Sequence, residues 1–459
     1  MFGIEENCGI IKTPNERKVE VMLIQLAIKN FKSVRDEQII DFYAPFKRDE
    51  RAENTFPQPE SKIRVLRAVG FYGPNAAGKT TVFDALGTII EMIVDPDFKP
   101  EKNIKWYNPY RFDPVLRSSP TTIELEFALP VSGILPYRSF RYEVSYDKTH
   151  YVNERLYAVP ITGRRVTLFS RGERDTYKTI KVNSGLLKEG ERIPFFKNQA
   201  YISAVWKAAD APETLRTIAS YLCGEFRLVK YFKTSAIRSL SRGKIAAALL
   251  PYADFGIKGV VERKRTIDPE RIATMQKYLS KEEFEATLAS MKKRNDTVEY
   301  EFSHTDDNDV KGLIKLDEES DGTQAFFRIL PRVLEDLDNG FTMLEDEIDT
   351  SMHPFLVEFI IRLFNDPEVN VNNAQLLFST HNMALLSESL LRKDQIWFAE
   401  KRDGVSTYFS LQDFDDKKVT PTSPFASWYA EGRFGSIPRI DYDGFVNAIK
   451  RLRKEAANA

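Results

Sequence analysis

The stretch Val69–Thr81, V-G-F-Y-G-P-N-A-A-G-K-T-T, constrains this chain more than any other, because it joins a strand, a glycine-bounded loop and a helix start in one short run. Gly73, four intervening residues (Pro74, Asn75, Ala76, Ala77), Gly78, Lys79 and Thr80 match the P-loop spacing, in which successive backbone N–H groups turn inward around phosphate oxygens. At that spacing Lys79 reaches the outer phosphates as a point charge, and the Thr80 hydroxyl completes the coordination of a hydrated magnesium ion. Thr81 carries the loop into a helix whose N-terminal dipole adds to the anion site. The flanks agree: Ile63–Phe71 is apolar and β-branched, while Val82, Leu86, Ile89, Ile90 and Ile93 repeat at helical spacing.

A chain of 459 residues exceeds what one core usually accommodates, so two lobes are expected. Its net charge of −1, from 66 basic and 67 acidic residues, argues against coating nucleic acid or membrane by bulk charge. Cys8 and Cys223 are too few for a disulfide framework or a four-thiolate zinc site. No apolar run approaches membrane-spanning length, and the start M-F-G-I-E-E-N-C-G-I-I has acids where a signal peptide needs positive charge. The expected location is therefore cytoplasmic, with no membrane partner.

Residues 1–21 read as a polar appendage without chemistry. Met22–Ile28 and Gln38–Tyr43 read as an antiparallel edge hairpin, and after the helix a proline- and aromatic-rich segment, Trp106–Pro114, breaks regular structure. Strands are expected at Thr121–Leu129, Ser139–Tyr146, Tyr151–Val159, Arg165–Phe169 and Thr176–Val182. Amphipathic helices are expected at Glu213–Cys223, Glu225–Thr234, Ser241–Leu250 and as a pair across Pro269–Lys293. No heptad pattern lasts three repeats, which excludes a long coiled coil. The acidic turn Asp306–Asp309 reads as a solvated hairpin tip, and the final helix, with Phe445, Ile449 and Leu452 on one face, is expected to pack on its own core.

Ser320-Asp321-Gly322-Thr323-Gln324 places a glycine-containing turn at a second helix N-terminus. Phe341–Pro354 supplies a buried strand ending in acids, where one carboxylate can hold magnesium through water and the next can orient or deprotonate an attacking water. Gln375–Asn382 puts His381 just past another buried strand, within reach of a terminal phosphate.

In kind, order and spacing these segments resemble the Walker A, signature, Walker B, D-loop and H-loop elements of ABC-type ATPases. Asn30-Phe31-Lys32-Ser33 resembles the start of ATPases related to SMC and RecF proteins. The forms E-S-D-G-T-Q, E-D-E-I-D-T-S-M-H-P, F-S-T-H-N and Y-A-E-G-R-F-G-S-I-P look like bacterial abortive-infection ATPases of the AbiL and RloA kind, which include the ATPase subunit of the PARIS anti-phage system. The resemblance covers residues 22 to about 440.

It implies an α/β fold: an ABC-type P-loop ATPase core, a mixed sheet flanked by helices, with an inserted β-then-helical lobe. The N-terminal half of the core would occupy 1–160, the inserted lobe 161–298 and the C-terminal half 299–459. It implies ATP and Mg2+ as cofactors, bound by Gly73–Thr81, with Thr80 and Asp346 as metal ligands, Glu347 as catalytic carboxylate and His381 as switch histidine. Glu345 leaves the register open among three consecutive acids, and His353-Pro354 favours Asp346 and Glu347. No Q-loop glutamine is identifiable, and Asn108–Asp113 stands in its place.

Two subunits facing head to tail are implied, Ser320–Gln324 of one completing the nucleotide site of the other. The implied role is a sensor or scaffold in abortive infection, holding a separate effector, plausibly a Toprim-type nuclease, until a phage-encoded trigger arrives. The alternative is a RecF-like DNA-repair ATPase using the basic runs Arg238–Lys244, Arg263–Arg265, Lys292–Arg294 or Lys450–Lys454.

Overall fold

The computed structural model describes residues 22–457 apart from 46–50, 59–60, 96–97, 130–136, 162–163, 187–191, 225, 229–244, 247, 254–255, 265–268, 282, 286, 289–297, 306–310, 416 and 439–440. The leader, the acidic turn and the basic runs 238–244 and 292–294 lie outside these residues.

Six strands, β1 (Met22–Lys29), β2 (Gln38–Asp41), β3 (Tyr43–Ala44), β4 (Thr55–Pro57), β5 (Arg64–Leu66) and β6 (Ala68–Tyr72), precede α1 (Lys79–Val94). Next come β7 (Thr121–Ala128), β8 (Tyr137–Tyr146), β9 (Tyr151–Pro160), β10 (Val166–Gly172), β11 (Lys181–Val182), α2 (Tyr201–Lys207), α3 (Glu213–Gly224) and β12 (Phe226–Leu228). The chain continues through β13 (Gly259–Lys264), α4 (Pro269–Tyr278), β14 (Val298–Thr305), β15 (Lys311–Lys315), α5 (Asp321–Asn339), β16 (Thr342–Glu345) and α6 (Pro354–Asn365). It ends with β17 (Gln375–Thr380), β18 (Ile396–Arg402), β19 (Val405–Ser410), α7 (Phe425–Ala430) and α8 (Tyr442–Ala457).

The central sheet has six strands in the order β12-β16-β17-β6-β18-β19, all neighbours parallel except the closing β18–β19 hairpin. Its strands are apolar on both faces because both faces are covered. Val69, Phe71, Leu344, Leu377, Trp397 and Ala399 pack toward α1, whereas Ala68, Tyr72, Met343, Leu376, Phe378, Ile396 and Phe398 pack toward α5 and α6. On its near side Phe83 meets Phe71 of the central sheet (ring centres 5.7 Å apart), and α1 shares one apolar cluster with a seven-stranded sheet, β11-β10-β9-β8-β7-β1-β2. Among the described residues the architecture is thus sheet, helices, sheet, helices, with α1 clamped between two sheets. The buried Gln375 ties the sheets together: its Oε1 accepts from Leu23 N (2.6 Å) and its Nε2 donates to the carbonyls of Leu66 (3.0 Å) and Leu23 (3.2 Å).

Several expectations need correction. The antiparallel edge hairpin is not among them: β1 pairs antiparallel with β2, which forms one edge of the large sheet, and with β7 on its inner side. Of the helix expected at Glu225–Thr234, residues 226–228 form a strand that pairs in parallel with the acid-bearing β16. Thr176–Ile180 is a turn, closed by Thr179 N donating to Thr176 O at 3.0 Å, which leaves only Lys181–Val182 extended. The expected boundary after residue 160 falls inside the seven-stranded sheet, where β10 pairs with β9. The one after 298 falls inside a three-stranded sheet, β13-β14-β15.

The α2 segment docks through a buried ion pair. Glu154, fully buried, accepts from Tyr201 N (2.6 Å), Ile202 N (3.0 Å), Tyr142 Oη (3.1 Å) and Arg171 (3.3 Å). Arg171 in turn donates to the carbonyls of Gln199 (2.6 Å) and Lys197 (2.9 Å). Truncating one member strands a charge away from water, so Glu154→Ala should lower unfolding free energy by about 3–5 kcal/mol. In urea denaturation the double change Glu154→Leu/Arg171→Met should lose less than the sum of the single changes.

Candidate nucleotide site

β6, β16 and β17 run parallel and in register, so their carboxyl ends open onto one edge: Tyr72 pairs with Thr380, and Glu345 with Phe378. Ligand sites of open α/β sheets form in this place. The loop after β6 carries Gly73–Lys79, the turn after β16 carries Asp346 and Glu347, and the turn after β17 carries His381.

Lys79 opens α1 and is buried. Its ammonium donates to the carbonyls of Gly73 (2.9 Å) and Pro74 (3.1 Å) and lies 3.1 Å from His381 Nε2. Burial lowers the pKa of Lys79, while Asp346, Glu347 and Asp349 pull it upward. The loop needs backbone that ordinary side chains resist: Gly73 has φ +146°, Ala76 +62° and Gly78 +109°. A Cβ on Gly73 would stand 2.3 Å from the Ala399 carbonyl. Asn75, Ala76 and Thr80 are exposed, whereas Ala77 and Thr81 are buried.

The structure separates the three consecutive acids. Glu345 accepts from Arg332 of α5 at 3.3 Å, which turns it away from the loop. Asp346 Oδ1 accepts from Ser379 Oγ (2.5 Å), and the same hydroxyl accepts from Glu347 N (2.8 Å). Glu347 is exposed with a left-handed φ of +57°, which lifts its carboxylate out of the strand line. One serine from the neighbouring strand thus sets both acids.

Ser320–Gln324 occupy a different place. Ser320 caps α5, accepting from Thr323 N at 3.2 Å, and Gln324 Nε2 donates to the Glu319 carbonyl at 2.8 Å. Among the described residues the side-chain hydrogen bonds of Ser320, Thr323 and Gln324 stay within 317–328. Ser320 and Asp321 are exposed, Gly322 borders Ser351 of the turn after the acids, and Thr323 is buried. Asn108 and Asp113 serve local structure: Asn108 O accepts from Lys32 N (2.7 Å), and Asp113 Oδ1 accepts from Val115 N (2.8 Å) and Leu116 N (3.0 Å).

The sequence reading passed over the braces of the loop. Ser406 Oγ donates to Ala77 O (2.7 Å) and Ser33 Oγ (2.8 Å), while Tyr408 Oη donates to Gly78 O (2.7 Å). Asn30 and Lys32, both at left-handed φ, fold the Asn30–Ser33 turn against this brace, and Lys32 pairs with Asp84 of α1. The signal available was Asn30–Ser33 itself; Ser379 stood inside the quoted F-S-T-H-N run without a role.

Residues 233–387 match the family described as "AAA domain, putative AbiEii toxin, Type IV TA system". The matched span includes the Ser320 helix, the acids and His381, but not the Lys79 loop. No curated protein matches the chain. Similar solved structures include an SMC head bound to the C-terminal winged-helix domain of ScpA (13% identity, 87% of this chain and 100% of that one, TM-score 0.38). The SMC head domain from Thermotoga maritima is another (13%, 85% and 98%, 0.38). A third is the Smc head with an extended coiled coil bound to the C-terminal domain of ScpA, derived from Pyrococcus furiosus (13%, 87% and 97%, 0.39). The Lys79 loop has the P-loop spacing, and the matched AAA domain supplies the acid strand and His381 beside it. Among the described residues no helix is long and apolar enough to cross a membrane.

Two outcomes are expected of the site. A bound polyphosphate favours charged Lys79 and so raises the pKa that burial lowers, which means binding takes up a proton between the two values. Nucleotide affinity should then fall as pH rises through the empty-site pKa, and Lys79→Met should bind weakly with no such slope; calorimetry in buffers of differing ionisation enthalpy reads both. Ser379→Ala should lower kcat roughly 10- to 100-fold with KM little changed, the mark of a group that orients rather than binds.

Proposed function

We propose that this chain is an ATP-binding and ATP-hydrolysing switch of the ABC type, acting in anti-phage defence by abortive infection through a separate toxic effector. The observation that carries the reading is the convergence of Lys79, Asp346, Glu347 and His381 at one sheet edge, although 302 residues separate Lys79 from His381 in sequence. The matched family's description, which couples an AAA domain with a toxin of a type IV toxin–antitoxin system, supports the defence setting.

In this reading the backbone N–H groups of Gly73–Thr81 and the Lys79 ammonium hold the phosphates. The Thr80 hydroxyl and the Asp346 carboxylate are hard oxygen donors on either side of the loop, a set that fits Mg2+. When bound, the ion neutralises charge on the β- and γ-phosphates. Glu347 accepts the proton of a water whose oxygen bonds to the γ-phosphorus as the bond to the bridging oxygen breaks, giving ADP and phosphate. His381, 3.1 Å from Lys79, contacts the same terminal phosphate and reports its presence.

Ser320–Gln324 serve the site of a second copy facing head to tail, an arrangement supported by the exposure of Ser320 and Asp321. Phosphate binding would close such a pair and hydrolysis would release it, making ATP a switch on assembly. The toxic step falls to a partner, for which a Toprim-type nuclease is the plainest candidate, released by a phage-encoded trigger.

Purified protein should hydrolyse ATP, and Lys79→Ala should abolish both binding and turnover. Glu347→Gln should keep ATP bound, lower turnover by about a hundredfold or more and accumulate the closed pair. An unchanged hydrolysis rate in Glu347→Gln would remove that residue from the mechanism.

A further inference from the structure

The last helix packs on the core less than its pattern suggested. In α8 (Tyr442–Ala457) Tyr442 is 72% exposed, Phe445 67% and Leu452 58%, while Val446, Ala448 and Ile449 are partly buried. In its first turn Phe445 N donates to Asp441 O (3.1 Å) and Gly444 N to Asp441 Oδ1 (2.8 Å). A bare helix of this length is marginal in water, and most helical stability comes from covering an apolar face.

Tyr442, Phe445, Ile449, Leu452 and Ala456 recur at i, i+3, i+7, i+10 and i+14. At about 100° per residue they fall within an arc of roughly 80°, a seam of two heptads with apolar a and d positions. The charges are split along the axis: Asp441 and Asp443 stand at the start, and Lys450, Arg451, Arg453 and Lys454 near the end, where the single acid Glu455 leaves the turn net positive. All seven are exposed.

We propose that α8 is a self-association helix, pairing antiparallel with α8 of a second copy. An antiparallel two-fold centred near Asn447 faces Tyr442 with Leu452 and Phe445 with Ile449, and by symmetry the same again, so every large apolar side chain of the seam gains a cover. The same alignment sets the acidic turn of each helix beside the basic turn of the other, and it opposes the helix dipoles favourably. A parallel pair would stack eight cations side by side, four from each copy. Charge complementarity therefore selects both the occupant and its direction. A narrow stripe with only Tyr442, Phe445, Ile449 and Leu452 as large residues, and with acids at its start, is a poorer match to an anionic lipid surface.

The seam is short, so it forms a weak contact whose effect grows when other contacts join the same two subunits. It requires no nucleotide. This inference goes beyond the ATP-gated pair and stands or falls separately from it.

The test is sedimentation of the full chain without nucleotide, across roughly 1–100 μM, the range in which short seams associate. Wild-type protein should show a monomer–dimer equilibrium, weakened at least tenfold in Phe445→Glu/Leu452→Glu, with circular dichroism and melting temperature of the rest retained. Asp441→Lys/Asp443→Lys and Lys450→Glu/Arg451→Glu/Arg453→Glu/Lys454→Glu should each dissociate alone and associate when mixed, a rescue that misfolding does not produce. A nucleotide-free chain that is monomeric throughout the range, whether or not it sediments with vesicles of phosphatidylcholine and phosphatidylserine, overturns the proposal. A dimer unaffected by Phe445→Glu/Leu452→Glu overturns it equally. ATP-driven association of Glu347→Gln, measured in the Phe445→Glu/Leu452→Glu background, reads the head-to-tail pair independently.

Discussion

The ammonium of Lys79 is the constraint around which the rest is arranged. Its protein neighbours are the two carbonyls that open its own loop and the His381 ring, and burial disfavours its charge. Partial dipoles compensate a desolvated cation less well than an anion does. Asp346, Glu347 and Asp349 favour the charged form through space. The place left for a strong partner is the mouth of the loop, which is why a polyphosphate completes the electrostatics.

Holding that cation demands a loop of fixed shape, and the surrounding structure supplies it by close approach. Gly73 lies against Ala399 O, and Gly78 lies where a Cβ would stand 2.5 Å from Ser406 Oγ, so glycine is needed for space as well as for dihedral angle. Ser406 and Tyr408 then bind the carbonyls of Ala77 and Gly78 from the last strand of the same sheet. A loop braced at its carbonyls has its N–H groups free to converge on one anion. α1, gripped between two sheets, fixes the direction of its dipole.

The loop, the acid strand and the histidine were legible because each couples a local motif to a buried apolar run. The hydroxyl groups were not. Ser379, Ser406 and Ser33 act through partners 32 to 373 residues away, and nothing in their immediate neighbours distinguishes them from solvated serines. Glu345 illustrates the same limit: three acids in a row carry no internal sign of which one Arg332 will claim. Phe226–Leu228 misled for another reason, since three residues are too few to display a period, and their strand form comes from pairing with β16. For α8 the apolar stripe marks the face that packing would cover, and most of it stands exposed. A periodicity carries no information on whether that cover is the helix's own core.

The Ser320 helix is held from two directions. On one side Arg332, itself buried, reaches Glu345 at the end of the acid strand, one residue before Asp346. On the other, Phe327 meets Tyr300 and Phe302 of β14 at ring-centre distances of 5.0 and 5.2 Å. Glu319, directly before Ser320, accepts through Oε1 from His304 Nε2 of the same strand at 2.6 Å. Between these two anchors stands Pro331, which lacks the N–H that would bond to the Phe327 carbonyl, so the helical ladder is interrupted between the Phe327 and Arg332 contacts.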